Sequence, residues 1–147
     1  MKAVIIMGSK SDVGFGKEIA ERLKGFGIES DLRIASAHKT PEHVLNVLKE
    51  YENGEVVFIT IAGRSNALSG FVDANTTKPV IASPPIKDNW FDIFSSIRMP
   101  SGVAPMLVLE AENTALAVAK IFALKDERVR RAVEEYQRKK KEEIIKA

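Results

Sequence analysis

The chain's two histidines, His38 and His43, stand five positions apart in the stretch Ile34–Val44, IASAHKTPEHV. An imidazole has an ordinary pKa near about 6.5, so it can take and return a proton at neutral pH. Two of them also raise the question of a metal. Ligation takes three or four ligands, a helical pair sits four apart, and there is no cysteine to complete the set. The pair therefore does not read as a metal site. His43 falls in the first turn or so of a predicted helix and reads as an exposed helical residue. His38 lies in a loop, flanked by the small Ser36 and Ala37 and followed by Lys39, which makes it the candidate base. A loop histidine without a chemical role would use the same residue type.

Two further stretches suit an anionic ligand. Met7–Asp12, MGSKSD, offers backbone amides, two hydroxyls and a lysine where a strand turns into a helix, and helix N-terminal amides point at an anion. It matches neither the P-loop nor the dinucleotide fingerprint, because Gly14-Phe15-Gly16 falls inside the predicted helix. Ser11 or Asp12 acting as a plain helix cap accounts for the same residues, while the Asp12 carboxylate could also accept hydrogen bonds from a pair of ribose hydroxyls. Gly63–Gly70, GRSNALSG, brings Arg64 for a bidentate anion contact and Ser65, Asn66 and Ser69 as small polar groups. A solvent-exposed turn would use the same types.

The elements that must position these loops are legible as a repeating pattern. Apolar runs rich in β-branched residues recur at Ala3–Met7, Leu32–Ala35, Val56–Ala62, Pro79–Ala82 and Met106–Leu109. Each is short enough to be a strand buried on both faces. Helical stripes lie between them. Ile19, Leu23 and Phe26 form one, with Gly27 placed to stop it. Thr40-Pro41-Glu42 reads as an N-cap, a first-position proline and a first-turn acid ahead of Val44, Leu45, Val47 and Leu48. Such alternation predicts a single three-layer αβα domain, residues 1–147, around a parallel flavodoxin-like sheet. Ligands in such sheets bind beyond the carboxyl ends of the strands, which selects the three loops Gly8–Asp12, Ser36–Thr40 and Gly63–Gly70. A fourth connection, Ser83–Trp90, SPPIKDNW, is stiffened by proline near the same edge. Residues 126–147 predict a long C-terminal helix with Val129, Val133, Tyr136 and Ile144 near one stripe. It suits packing on its own domain or on a neighbouring subunit.

Composition narrows the classes. The chain has 147 residues, about one domain, with 45% hydrophobic and 29% charged residues, as in an ordinary globular protein. No run approaches the roughly 18 apolar residues of a membrane span, and the apolar run after Lys2 is too short for a signal peptide. A cytoplasmic location is expected. The net charge of +2, from 22 basic and 20 acidic residues, gives no field to draw nucleic acid or an anionic membrane. The basic run Arg138–Lys141 precedes Glu142 and Glu143 and reads as a solvated helix face.

Taken together, MGSKSD, SAHKTPEH, the glycine-bounded third loop, PVIASPP, SSIRMPSGV and the alanine-rich helix after them resemble the aminoimidazole ribonucleotide carboxylase family, PurE, across nearly the whole chain. The mutase branch of that family carries a second histidine in a third loop resembling AGAAAHLPG, and usually an arginine after the first histidine. Here Ala67 and Lys39 stand at those places. SAHK, GRSNALSG and SSIRMPSG are instead similar to the class II carboxylases, including the carboxylase domain of the animal bifunctional enzyme. The resemblance implies an enzyme that joins carbon dioxide to aminoimidazole ribonucleotide (AIR), with no cofactor and no metal, assembled as a homo-oligomer, an octamer in the family. It implies that Ser9, Ser11 and Asp12 hold the ribose phosphate region. Ser36, Ala37, His38 and Lys39 would face the reacting imidazole and the phosphate, and Gly63, Arg64, Ser65 and Asn66 would form the carboxylate pocket.

Other classes share the α/β plan. A response-regulator-like module would place a phospho-acceptor aspartate at the end of the third strand, where this chain has Ala62-Gly63-Arg64. A flavodoxin-like electron carrier would use a hydroxyl-rich phosphate loop and an aromatic such as Trp90 over a flavin, and the purified protein would be yellow.

Overall fold

A computed structural model describes residues 1–86 and 90–147. Among these residues, five parallel strands form one sheet in the order β2-β1-β3-β4-β5. The strands are β1 (Lys2–Met7), β2 (Glu29–Ile34), β3 (Val56–Ile61), β4 (Val80–Ala82) and β5 (Met106–Leu107). Helices α1 (Val13–Gly25), α2 (Pro41–Glu50), α3 (Leu68–Ala74), α4 (Phe94–Ile97), α5 (Ala111–Ala123) and α6 (Glu127–Ile145) connect or follow them. This strand order is the flavodoxin-like one, whose order reverses between β1 and β3.

Alternation along the strands builds two cores. Ala3, Ile5 and Met7 of β1, with Val57, Ile59 and Ile61 of β3, pack against Ile19 and Leu23 of α1, Ala115 and Val118 of α5 and Val129 and Val133 of α6. Val4, Ile6 and Phe58 point the other way, against Val44 and Val47 of α2 and Leu68 and Val72 of α3. All six residues of β3 are buried. The outer strands depart from the expectation of burial on both faces. β2 is half-buried along most of its length, and Ile34 is exposed. As an edge strand it pairs only with β1, and it carries Glu29, Asp31 and Arg33, charges that suit an open edge.

Two glycines fix the packing of α1. At Gly16 an added Cβ would stand 2.6 Å from the Met7 sulfur, so the helix approaches β1 closely only because no side chain intervenes. Gly27, with φ of 73°, takes the left-handed position just past the helix, and Ile28 N–H donates back to the Leu23 carbonyl. Beside β2, Asp31 accepts from Tyr51 Oη at 2.8 Å and pairs with Lys2 Nζ at 3.1 Å. Burial pushes the Asp31 carboxyl up, but the hydrogen bonds from Tyr51 and Lys2 and the charges of Lys2 and Arg33 outweigh it. The carboxyl is held below the usual carboxylate range.

The C-terminal helix is capped by Asp126, whose carboxylate accepts from Arg128 N and Val129 N. Its first half packs on its own domain: Val129 and Val133 are buried, and Tyr136 meets Phe26 edge-on, with ring centroids 5.3 Å apart. Its far end leaves Ile144 and Ile145 exposed. Arg138 is paired with Glu135 and Glu142, so the basic run forms a solvated, ion-paired face as expected.

Candidate active site

Parallel strands that end together carry their loops to one edge, and backbone hydrogen bonds continue the ladder past the strand ends. Ala35 N–H donates to the Met7 carbonyl at 2.9 Å, and Gly8 N–H to the Ile61 carbonyl at 2.8 Å. The loop after β1 is thereby fastened between the loops after β2 and β3, at the point where the strand order reverses. Ser83 N–H bonds the Thr60 carbonyl at 2.9 Å and brings the Pro84-Pro85 connection alongside, where Pro85 lies 3.8 Å from the Cβ position of Gly63. Of that fourth connection, residues 87–89 lie outside the described residues.

The first loop is a polar cluster. Ser9 Oγ donates to Asp12 Oδ2 at 3.0 Å, and its contact with Ser11 Oγ is 2.6 Å. Since the Ser9 proton goes to the carboxylate, the Ser11 hydroxyl is the donor in that contact. Asp12 is buried and makes no side-chain cap on α1, so its carboxylate serves the loop and not the helix. Lys10 and Ser11 are exposed beside it.

The second loop is a closed turn. Thr40 Oγ1 accepts from Ser36 N at 3.0 Å and donates to the Ser36 carbonyl at 3.2 Å, while Lys39 N–H reaches Ser36 Oγ at 3.2 Å. Thr40 was expected to cap α2. It makes no side-chain cap, because its hydroxyl is already used across the turn, and Pro41 fills the first helical position. Ser36 and Ala37 are half-buried, and His38 and Lys39 stand exposed at the tip. His43 is exposed on the first turns of α2, a separate element.

The third loop is shorter than its bounding glycines suggest. Helix α3 begins at Leu68, so Ser69 and Gly70 are helical and the turn proper is Gly63–Ala67. Arg64 and Ser65 are exposed, and Ser65 holds a left-handed φ of 45°. Asn66 is buried and its amide makes three hydrogen bonds. Nδ2 donates to Ser69 Oγ at 2.9 Å and Ser96 Oγ at 2.8 Å, and Oδ1 accepts from Ser69 N at 3.2 Å. Its backbone N–H donates to Ser95 Oγ at 2.7 Å. Thus the loops gather Ser9, Ser11, Asp12, Ser36, His38, Lys39, Arg64 and Ser65 at one edge, with the Asn66 side chain turned into the structure behind them.

Sequence reasoning missed Ser95 and Ser96, which stand in SSIRMPSGV without an assigned role. It also missed Glu110, which precedes α5 with a φ of 66°. Neither leaves a local signal: a four-residue helix shows no period, and a left-handed glutamate has no composition cue. Among the described residues, no group of three His, Asp or Glu side chains able to hold a metal occurs. The groove between α1 and α6, over Phe26 and Tyr136, contains none of the loop residues.

Fold and loops together define a parallel α/β protein whose polar loop edge carries the exposed Lys10, Lys39 and Arg64 and the His38 imidazole. The family model for AIR carboxylase matches residues 2–143. A phosphoribosylaminoimidazole carboxylase of Archaeoglobus fulgidus is 72% identical over 100% of this chain and 83% of that protein. The crystal structure of Treponema denticola PurE superposes with a TM-score of 0.95 at 51% identity, covering 98% of this chain and 94% of the other. The human bifunctional phosphoribosylaminoimidazole carboxylase/phosphoribosylaminoimidazole succinocarboxamide synthetase is 42% identical over 84% of this chain and 30% of that protein. This chain belongs to the AIR carboxylase family and is an enzyme of that family.

Proposed function

We propose that the protein carboxylates AIR at ring carbon C4 with free carbon dioxide, giving 4-carboxy-5-aminoimidazole ribonucleotide. The observation that carries this is the single imidazole of the loop edge: His38 stands exposed after β2, and the third loop has Ala67, half-buried ahead of α3, where a mutase would present a second histidine. The likeness to the carboxylase part of the human bifunctional protein supports the same choice.

The chemistry needs little besides positioning and one base. The substrate ring is an electron-rich enamine, so C4 can attack carbon dioxide once the two are held in contact. As the C–C bond forms, one C=O pair moves onto oxygen and becomes the carboxylate. C4 still carries its hydrogen, and His38 takes that proton to restore the aromatic ring. In the reverse direction the imidazolium returns it and carbon dioxide leaves. No ATP is required, because no activated carboxyl carrier is formed. Ser9, Ser11 and Asp12 bind the ribose phosphate region, Ser36, Ala37 and Lys39 line the ring and phosphate side, and Gly63, Arg64 and Ser65 form the carboxylate pocket, with Asn66 holding their turn from behind. Lys39 and Arg64 supply positive charge for the phosphate or the developing carboxylate.

The working unit is a homo-oligomer, an octamer by family likeness. Exposed Trp90, Phe94 and Ile97, and Ile144 and Ile145 at the end of α6, support an apolar contact with other copies. The test is direct: purified protein, AIR and bicarbonate-buffered carbon dioxide without ATP should yield the carboxylated nucleotide. Absence of product over the spontaneous rate would end the proposal.

A further inference from the structure

We infer that Ser95 and Ser96 are positioning residues for the carboxylate pocket, acting through Asn66 on the Arg64–Ser65 turn. The assignment rests on the carboxylase reading above and adds to it two residues of α4, an element separate from the three loops.

The turn needs holding. Ser65 at φ 45° holds a left-handed backbone that side chains rarely adopt, and such a residue persists only where its surroundings fix it. The next backbone N–H, that of Asn66, is fixed by Ser95 Oγ at 2.7 Å. Ser95 in turn donates its own proton to the Asp92 carbonyl at 2.6 Å. With that proton committed, the Ser95 oxygen presents only lone pairs toward Asn66, so it is an acceptor of set direction. Ser96, 3% exposed, takes one hydrogen of the Asn66 amide while Ser69 takes the other. Asn66 is thus pinned from two sides: by Ser69 of α3, three residues on, and by Ser95 and Ser96 of α4, 29 and 30 residues on. A turn held only by its own helix could rock about α3. The two serines of α4 remove that freedom and set where Arg64 and Ser65 face the incoming carboxyl group.

A purely structural role would lower stability and leave the folded enzyme's kinetics alone. The positioning role predicts a split between substrates, because these serines act on the third loop through their bonds to Asn66. The test uses full-length Ser95→Ala, Ser95→Thr and Ser96→Ala proteins beside the unaltered enzyme, with KM measured separately for AIR and for carbon dioxide. Ser95→Ala should raise KM for carbon dioxide about tenfold to a hundredfold, as a misplacement near 1 Å does, and leave KM for AIR unchanged. Ser95→Thr, which keeps the hydroxyl, should restore the value. Equal changes in both KM values, or none in properly folded Ser95→Ala, overturn the inference. If Ser95→Ala does not fold, Ser96→Ala carries the same expectation, and an unchanged KM for carbon dioxide there overturns it. Failure of the carboxylase reading looks different: the unaltered enzyme itself makes no product from AIR and carbon dioxide.

Discussion

Replacing Asn66 by alanine removes one buried amide and should cost about 3 kcal/mol. Three contributions make up that figure. Asn66 Oδ1 accepts from Ser69 N in the first turn of α3, and losing that bond costs about 1 kcal/mol. Each of the two Nδ2 bonds, to Ser69 Oγ and to Ser96 Oγ, contributes about 1 kcal/mol, and the hydroxyls they leave behind are buried. For a chain of this length about 3 kcal/mol lowers the melting temperature by roughly 6–12 °C. The assay is thermal unfolding at fixed protein concentration, since any self-association would raise the apparent midpoint. A second variant tests the bookkeeping. Adding Ser96→Ala to Asn66→Ala removes one stranded hydroxyl, so the double variant should be no less stable than Asn66→Ala, with a coupling of about 1 kcal/mol. A loss below about 1 kcal/mol for Asn66→Ala, or strictly additive losses in the double variant, would refute the view that this amide fastens the third loop to α4.

Other outcomes follow from single contacts. His38→Asn should abolish turnover while nucleotide affinity stays within about tenfold, and His43→Asn should change little; comparable loss in both, measured by steady-state assay and ligand titration, would remove His38 as the base. Tyr51→Phe should destabilise the protein at neutral pH. The Asp31 carboxyl is depressed in the folded state, so its contribution is complete above its unfolded value near about 3.9 and fades as pH falls through the folded one; the gap between Tyr51→Phe and the unaltered protein in denaturant titrations should therefore narrow in acid, and a gap independent of pH would contradict the linkage. Truncation before Asp126 should weaken assembly measured by sedimentation, but it also removes Val129 and Val133 from the core, so the cleaner variant is Ile144→Lys with Ile145→Lys. An unaltered mass for that pair would place the subunit contacts elsewhere.

The parts of the fold that depend on burial were open to inspection in the sequence. β1 and β3 are continuous apolar runs because helices cover both their faces, and the αβα plan follows from their alternation with helical stripes. The apolar pattern marks β2 only from Leu32, because Glu29, Ser30 and Asp31 are polar, yet at an edge they pair with Lys2, Ala3 and Val4 all the same. Of the proposed site, the placement of the three loops past the strand ends is legible from the alternation of strands and helices, while the roles proposed for His38 and its neighbours rest on residue type and family likeness. Thr40 shows where local signals mislead: it precedes Pro41 as a cap should, but its hydroxyl closes the histidine turn instead. The tie from Asn66 to Ser95 and Ser96 joins residues 29 and 30 positions apart and depends on how α4 is brought against the third loop. No window of sequence contains it.

The central claim, that free carbon dioxide and AIR are the productive pair, is tested most directly by a side-by-side assay of the two carboxyl sources. One arm supplies AIR with a controlled level of carbon dioxide. The other supplies N5-carboxyaminoimidazole ribonucleotide while free carbon dioxide is continuously removed, with the carbamate's spontaneous decay subtracted. A third loop that carries Ala67 and no imidazole predicts rapid, ATP-independent product in the first arm and little in the second. Faster turnover of the intact carbamate, unaffected by removal of carbon dioxide, would contradict it and place the enzyme in the mutase branch.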